Sequence, residues 1–423
     1  MTTPEQRTEV SRFRQRLREY LPGIFLLGAN IGTGSVTAMA VAGATYGMSL
    51  LWAIAVSCLA TFFLIEIYGR LTLVTGETAL YAFRRHLHPA VGIFMIVGLT
   101  VGVLGSVIGV MGIVADVSYE WSKLYIEGGI KPVYWALFYI LLVYALFWNG
   151  TTLFFEKALA VMVAIMGASF VVNFFVLAPT PGEILRGLIP SLPEVPAGAN
   201  TGPFLVVASM VGTTVASSMF IIRSTLVKEA GWTVQDLPIQ RRDALVSASM
   251  MFVMSATIMA AAAGTLHAAG QGLTRAAEMV GLLEPVAGPF AVTLFVFGIV
   301  SAGVSSQFPN VLLFPWLMCD YRGSERDMTR WYYRLAVLLI SLLGLIVPVF
   351  EASPVLVMVA SQVFGALMLP VTVTCILIIG NNKSLMGAHA HGAVTNLVLV
   401  LLLAFALFVA VLGLRGVFEA FVQ

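Results

Sequence analysis

Two short stretches of small and hydroxyl residues interrupt long apolar segments, and their chemistry is that of a binding site for a small solute. The first reads Gly32-Thr33-Gly34-Ser35, and the second reads Gly212-Thr213-Thr214-Val215-Ala216-Ser217-Ser218. Neither stretch contains a charged residue. A helix that is interrupted inside a membrane offers backbone carbonyl and amide groups to a ligand. The pair of interruptions therefore predicts a substrate site near the bilayer midplane.

The elements that must position these stretches are membrane-spanning helices. Of the 423 residues, 59% are hydrophobic and 10% are charged, whereas a soluble domain has about 25% charged residues. Runs long enough to cross about 30 Å of hydrocarbon recur along the whole length and leave no room for a soluble domain. We predict eleven spans, near 22–47, 48–73, 90–117, 132–150, 156–178, 203–228, 244–267, 288–318, 333–350, 354–380 and 392–414.

The distribution of Lys and Arg predicts how the chain is oriented in the membrane. With the N-terminus in the cytoplasm, the inner segments hold sixteen basic residues and the outer segments hold five. Because basic residues favour the cytoplasmic side, we predict a multi-pass protein of the cell membrane with a cytoplasmic N-terminus and an external C-terminus. The expected partners are the lipid bilayer and a small-molecule or ion substrate, and not nucleic acid. No oligomeric state follows from the sequence.

The spans divide into two units of five, with an extra helix at the end. We predict a cytoplasmic segment at 1–20, a first five-helix repeat at 21–178 and an external linker at 179–202. A second five-helix repeat at 203–380 and the final helix with the C-terminus at 381–423 complete the chain. Each interruption lies in the first span of its unit, which is the arrangement of inverted repeats in several transporters.

A few polar residues inside the spans are candidates for coupling or gating. Glu66 and Arg70 are spaced i,i+4, so an ion pair would lower the cost of both charges in the membrane, and they either anchor the helix at the interface or act as a gate. Arg223 and Gln362 are the other two candidates. Arg223 either faces the site or pairs with a neighbouring acid. The three cysteines have no CxxC spacing, and we predict no metal centre, cofactor or enzymatic activity.

The sequence resembles the Nramp (SLC11) family over nearly its whole length. The motifs that carry the resemblance are Gly69-Arg70-Leu71 with Val74-Thr75-Gly76, Gly212-Thr213-Thr214-Val215, Ser301-Ala302-Gly303-Val304-Ser305-Ser306, Ser361-Gln362-Val363, Leu369-Pro370 and Ser384-Leu385-Met386-Gly387. Members of that family are proton-coupled transporters of divalent metals. The resemblance implies an all-α membrane protein of LeuT-like fold, with eleven transmembrane helices, two inverted five-helix repeats, and helices 1 and 6 broken.

The departures from the family pattern fall at the substrate site. Metal-transporting members have Asp-Pro-Gly-Asn at the first break, where this chain has Gly32 and Ser35 in the aspartate and asparagine positions. Ala216-Ser217-Ser218 stands in place of Met-Pro-His at the second break. The position of the family's proton-transfer acid in span three is Ser106, and a second histidine position is Arg223.

Without a carboxylate, hydroxyls and carbonyls are poor at removing water from a transition-metal dication. The N-termini of the half-helices after each break favour an anion. We therefore expect a cation-coupled secondary transporter of a small anion or carboxylate. A divalent cation such as Mg²⁺ or Mn²⁺ is the alternative, and a membrane receptor without transport is the second alternative. The predicted substrate-binding residues are Ala29, Gly32, Thr33, Gly34, Ser35, Thr213, Thr214, Ala216, Ser217 and Ser218.

Overall fold

The computed structural model describes residues 32–149, 167–168, 171–172, 174–175, 179–196, 201–273, 275, 278, 291–324 and 327–422. Every regular element in these ranges is a helix. The α-helices are α1 Thr33–Tyr46, α2 Leu51–Thr75, α3 Ala79–His86, α4 Pro89–Ser122, α5 Pro132–Asn149, α6 Pro181–Gly187, α7 Pro203–Thr214, α8 Ser217–Glu229, α9 Leu237–Ala262, α10 Ala291–Arg322, α11 Trp331–Leu342, α12 Ile346–Phe350, α13 Pro354–Gly380, α14 Lys383–Met386 and α15 Ala393–Val422.

Within those ranges, eight helical segments are long and apolar enough to span a membrane. They are Leu51–Thr75, Pro89–Ser122, Pro203–Glu229, Val234–His267, Val296–Arg322, Trp331–Phe350, Pro354–Gly380 and Ala393–Ala420, and Pro132–Trp148 is a shorter apolar helix. The predicted spans at 48–73 and 354–380 agree with α2 and α13 to within three residues. Residues 22–31 and most of 156–178 lie outside the described residues, so the count of eleven spans stays a prediction.

Helix α1 is buried on every side, which explains its composition of small and apolar residues. All fourteen of its residues, Thr33–Tyr46, are buried. A Cβ added at Gly43 would overlap the backbone carbonyl oxygen of Met259 in α9. Only glycine allows the two helices to approach this closely, a device that membrane proteins use where lipid provides no hydrophobic drive for packing.

The long helix α4 packs on α13 along a stripe of glycines. Gly98, Gly105 and Gly109 face Met368, Ser361 and Met358 of α13, and an added Cβ at any of them would come closer than 3.0 Å to a side chain of that helix. These glycines are seven and four residues apart and therefore share one face of α4. The stripe brings α4 close to α13 at the level of the two interruptions.

The second interruption forms as predicted. Helix α7 ends at Thr214 and α8 begins at Ser217, so Val215 and Ala216 are the non-helical residues between them. At the first interruption, Gly32 is extended and precedes α1, which begins at Thr33. The stretch at 179–202, predicted as an irregular loop, contains the short helix α6, because Thr180 and Glu183 form a capping box at its start.

Candidate functional site

The two interruptions border one cavity of about 80 Å³, which we call the break cavity. Because one water molecule occupies about 10–15 Å³ of such cavity volume, the cavity has room for several waters or one small solute. It is lined by Gly32, Gly34, Ser35, Gly98, Leu99, Gly102, Val103, Ser106, Val110, Gly212, Thr213, Ala216, Ser217, Ser218, Met219, Ser306, Asn310, Ser361, Gln362, Phe364, Gly365 and Met368.

Most of the predicted substrate-binding residues face this cavity. They are Gly32, Gly34, Ser35, Thr213, Ala216, Ser217 and Ser218, and the gating candidate Gln362 joins them. Thr33 and Thr214 are not part of the lining, although both are buried. Ala29 lies outside the described residues. What these residues bind stays a prediction.

Ser217 contributes a buried hydroxyl to the lining of the break cavity. It is the first residue of α8, it is 1% exposed, and its Oγ has no hydrogen-bond partner. An unpaired buried hydroxyl costs about 1–3 kcal/mol. Because Ser217 also lines the cavity, this hydroxyl is placed to form a hydrogen bond with whatever occupies it.

The wall opposite the interruptions comes from α4, α10 and α13. Asn310 of α10 donates from Nδ2 to Ser106 Oγ of α4 at 3.3 Å, so Ser106 is part of a neutral pair. Gln362 of α13 donates from Nε2 to Ser361 Oγ at 3.3 Å. Ser306 and Ser361 belong to motifs of the family resemblance but were not predicted to line the site, because serines in apolar helices more often mark helix packing.

The lining contains no Asp, Glu, Lys, Arg or His among the residues that the structure describes. Its polar groups are hydroxyls, side-chain amides and the backbone of the interruptions. Two thioethers, from Met219 and Met368, also reach the lining, and the sequence analysis had assigned neither. The described lining therefore offers a ligand neutral polar groups and thioethers.

Of the two alternatives for Arg223, the structure shows the pairing with a neighbouring acid, Asp243, rather than a free positive charge facing the cavity. Its Nη1 lies 2.6 Å from Asp243 Oδ2, and the exposed fractions of the two side chains are 0% and 2%. Asp243 therefore compensates the guanidinium charge inside the protein. Arg223 is also absent from the lining, so it does not draw an anion into the cavity.

Glu66 and Arg70 form the expected i,i+4 pair, with 3.8 Å between Arg70 Nε and Glu66 Oε1. Both side chains are partly exposed, at 20% and 18%, and neither lines the break cavity. This location matches the anchoring interpretation of the pair, and a gating role stays a prediction.

The break cavity lies on the side of the interruptions that carries α3. Its lining residues run along α4 from Val110 back to Gly98, toward Pro89, and along α13 from Ser361 to Met368, toward Gly380. On the other side, Tyr46 Oη donates to the carbonyl of Thr201 at 2.8 Å, and Trp52 Nε1 donates to that of Ser191 at 3.0 Å.

Solved structures share this architecture. The manganese transporter of Eremococcus coleocola, in complex with an aromatic bis-isothiourea substituted compound, matches with a TM-score of 0.78 at 17% identity, over 97% of this chain and 88% of that one. Mhp1, a nucleobase-cation-symport-1 family transporter with bromovinylhydantoin bound, matches with a TM-score of 0.58 at 16% identity, over 95% and 93%. The fold is that of a membrane transporter of the LeuT-like class.

The chain belongs to the Nramp family, described as natural resistance-associated macrophage protein-like, which matches residues 23–415. A divalent metal cation transporter MntH of Acidiphilium cryptum is 24% identical over 401 residues, which are 88% of this chain and 84% of that protein. Another, from Staphylococcus saprophyticus, is 21% identical over 408 residues, 92% and 89% of the two chains. The resemblance drawn from the motifs is confirmed, and the chain is a multi-pass membrane transporter of the Nramp type.

Proposed function

We propose that this chain transports a small divalent cation that keeps part of its hydration shell, with Mg²⁺ as the leading ion and Mn²⁺ as the next. The observation that carries the proposal is a cavity with neutral oxygen donors and room for water, at the interruptions of a Nramp-type transporter. Mg²⁺ dehydrates reluctantly and usually keeps several waters. Hydroxyls and amides can hold such an ion through its water shell without a carboxylate.

The electrostatics of the second interruption are compatible with a cation. The last turn of α7 presents carbonyl oxygens that have no partner within the helix, and Thr213 of that turn lines the cavity. The opposing N-terminus of α8 disfavours a cation by about 0.3–1 kcal/mol. The two helix ends therefore offset each other, and the charge of Arg223 is cancelled by Asp243.

The relatives support the cation as the leading substrate, because those compared above are named as divalent metal cation transporters or as a manganese transporter. They do not support the anionic substrate that the sequence analysis favoured. One specific observation keeps a small carboxylate as the second candidate. The first turns of α1 and α8 contain no acidic residue, and the unpaired Ser217 hydroxyl is a donor beside them.

Uptake into proteoliposomes tests the proposal. The purified protein would be offered Mg²⁺, Mn²⁺ and radiolabelled acetate, lactate and glutamate in separate experiments. We expect Mg²⁺ to accumulate faster than Mn²⁺. We expect acetate, lactate and glutamate not to accumulate. Accumulation of a carboxylate without either cation would establish the second candidate instead.

A carboxylate restored at the first interruption tests the mechanism. Gly32 is extended, at φ −102° and ψ −173°, so aspartate can adopt its backbone conformation. In Gly32→Asp we expect the ratio of Mn²⁺ to Mg²⁺ uptake to rise about tenfold, because a direct anionic ligand favours the transition metal. Gly182→Asp, in α6 and away from the cavity, is the control and should keep the parent ratio.

A further inference from the structure

The buried ion pair between Arg223 of α8 and Asp243 of α9 is one of the most strongly shielded charge pairs in the described chain. Arg223 Nη1 lies 2.6 Å from Asp243 Oδ2, with exposed fractions of 0% and 2%. Arg223 Nη2 also donates to Gln240 Oε1 of α9. Removal of one partner from such a pair leaves an uncompensated charge in a low-dielectric interior, which is strongly destabilising.

Gln240 extends this cluster to a third helix. Its Nε2 donates to the carbonyl oxygen of Ile65 in α2 at 2.8 Å. The amide lies directly over Gly69, where an added Cβ would overlap it. The guanidinium of Arg223 additionally lies 5.4 Å from the ring centroid of Trp232. The cluster therefore ties α8 to both α9 and α2.

A second contact fixes the same turn of α8. Ser224, the next residue, accepts a hydrogen bond at Oγ from the backbone N–H of Ala79 at 2.9 Å. Ala79 is the first residue of α3, whose second residue, Leu80, donates to Asp320 Oδ2 of α10 at 3.3 Å. One turn of α8 is thus joined through side chains to α9, α2 and α3.

This turn lies close to the break cavity. Arg223 follows Ser218 by five residues, which is about 7.5 Å along the helix axis. Ser217 and Ser218 are the first residues of α8 and line the cavity. Because Val215 and Ala216 interrupt the helix, the backbone of α7 does not set the direction of α8. The direction of α8 has to come from lateral contacts such as those of Arg223.

We propose that Arg223 is a positioning residue for transport, which together with Asp243 and Gln240 sets the orientation of α8 so that Ser217 and Ser218 face the cavity. The inference rests on the proposed role of the break cavity as the cargo site. It does not depend on which ion or molecule the cavity binds, because Arg223 acts on the helix and not on the cargo.

A cysteine reporter in the cavity tests the proposal without any cargo. The parent carries Ser218→Cys in a background with Cys58→Ala, Cys319→Ala and Cys375→Ala, reconstituted in liposomes. The measured quantity is the rate at which a small maleimide labels this cysteine. In Asp243→Asn we expect the rate to change about tenfold, together with a lower melting temperature. If uptake of every tested cargo fails, the labelling still reports on α8.

A double variant separates positioning from stability. Arg223→Met with Asp243→Leu replaces the pair by apolar side chains, a change that buried pairs often tolerate or that stabilises. We expect it to recover the melting temperature and to keep the altered labelling rate, since the bond to Gln240 is lost. If Asp243→Asn does not fold, the double variant is sufficient to test the proposal.

The exposed pair of α15, removed in Arg415→Gln with Glu419→Gln, is the matched control and should label within twofold of the parent. The proposal is overturned if the apolar double variant labels at the parent rate, or if the exposed-pair control shifts by as much as the buried-pair variants. Restored melting temperature with restored labelling would show that the pair is merely structural.

Discussion

Ser217 is the residue whose substitution tests most directly how the cavity binds its cargo. Its hydroxyl is buried, lacks a partner and lines the break cavity at the start of α8. No group of the described protein pairs with this hydroxyl. Its hydrogen-bonding capacity is therefore available to water or cargo in the cavity.

We expect Ser217→Ala to raise the KM for the cargo about three- to tenfold, the cost of about one lost hydrogen bond. The free energy of unfolding without cargo should stay nearly the same, because the hydroxyl pairs with no group of the described protein. Uptake kinetics and thermal unfolding in detergent measure the two effects. Ser209→Ala in α7 is the matched control, since the hydroxyl of Ser209 is also buried and unpaired but lies outside the lining. A KM that rises equally in both variants would contradict a role for Ser217 in binding.

At the residue scale, the sequence predicted the part of the cavity lining that comes from the interruptions better than the part that comes from the continuous helices. Seven predicted substrate-binding residues lie in the lining, because interruptions of apolar helices are visible in composition. Ser306 and Met368 were missed, since nothing in a continuous helix distinguishes a residue that faces a cavity from one that packs against a neighbour. The sequence left the role of Arg223 open between two alternatives, because its partner, Asp243, belongs to a different helix and only the fold brings them together.

At the element scale, glycines determine how closely the helices around the cavity approach. Gly212 in α7 meets α13 so closely that an added Cβ would overlap the backbone carbonyl oxygen of Gln362. Gln362 itself lines the cavity. The contact between these two helices therefore helps to fix the shape of the site.

We expect Gly212→Ala to lower the free energy of unfolding by at least about 1–3 kcal/mol, the typical cost of overpacking, and to abolish uptake. The obstructing atom is a backbone oxygen, which a rotamer change cannot move aside. Thermal unfolding and uptake are the measurements. Gly392→Ala is the control, because an added Cβ there has no atom within 4 Å. Full activity in Gly212→Ala would contradict the packing described here.

The contact between α13 and the start of α15 makes the free energy of unfolding depend on pH through His391. His391 precedes α15 and packs on Gly380 at the end of α13. Burial, and then the charge of Arg70, lower the pKa of His391 to about 4. Between about pH 6.5, the ordinary value, and pH 4, the unfolded chain binds more protons than the folded one at this site. Acidification through this window therefore reduces stability.

Thermal unfolding between pH 7.5 and pH 4.5 measures the effect. We expect the melting temperature to fall on acidification, and His391→Gln to flatten part of this dependence. His389→Gln, two residues away, is the control and should keep the parent slope. An unchanged slope in His391→Gln would show that other groups determine the acid sensitivity.

The positions of the helices were largely predictable because their signal is local. Long apolar runs mark membrane spans whatever surrounds them, and α2 and α13 agree with the prediction to within three residues. Helix α6 was missed because its start depends on a capping box rather than on an apolar period. The glycine stripe of α4 was visible in the sequence, but its partner helix α13 was not.

At the scale of the whole molecule, the described lining of the break cavity runs toward the side that carries α3. On the opposite side, the hydroxyl of Tyr46 and the indole N–H of Trp52 donate to backbone carbonyls. With the orientation that the basic residues predict, the α3 side would face the cytoplasm, and this orientation stays a prediction.

The identity of the substrate is the property of this protein that its sequence predicts least well. Family membership identifies a Nramp-type transporter, and function resides in the site rather than in the fold. The described lining of the break cavity contains no charged side chain, and its polar groups are neutral. Neutral donors restrict the cargo less than a carboxylate does, so only a measurement of the transported charge decides between a hydrated cation and a small anion.

Transient currents on a solid-supported membrane, recorded after concentration jumps in proteoliposomes, measure the sign of that charge. We predict that a jump of Mg²⁺ moves positive charge with the ion, and that this current falls in Ser217→Ala at subsaturating Mg²⁺. Jumps of acetate, lactate or glutamate should give no protein-dependent current. A current from one of these carboxylates, with none from Mg²⁺ or Mn²⁺, would contradict the account of the break cavity as a site for a hydrated cation.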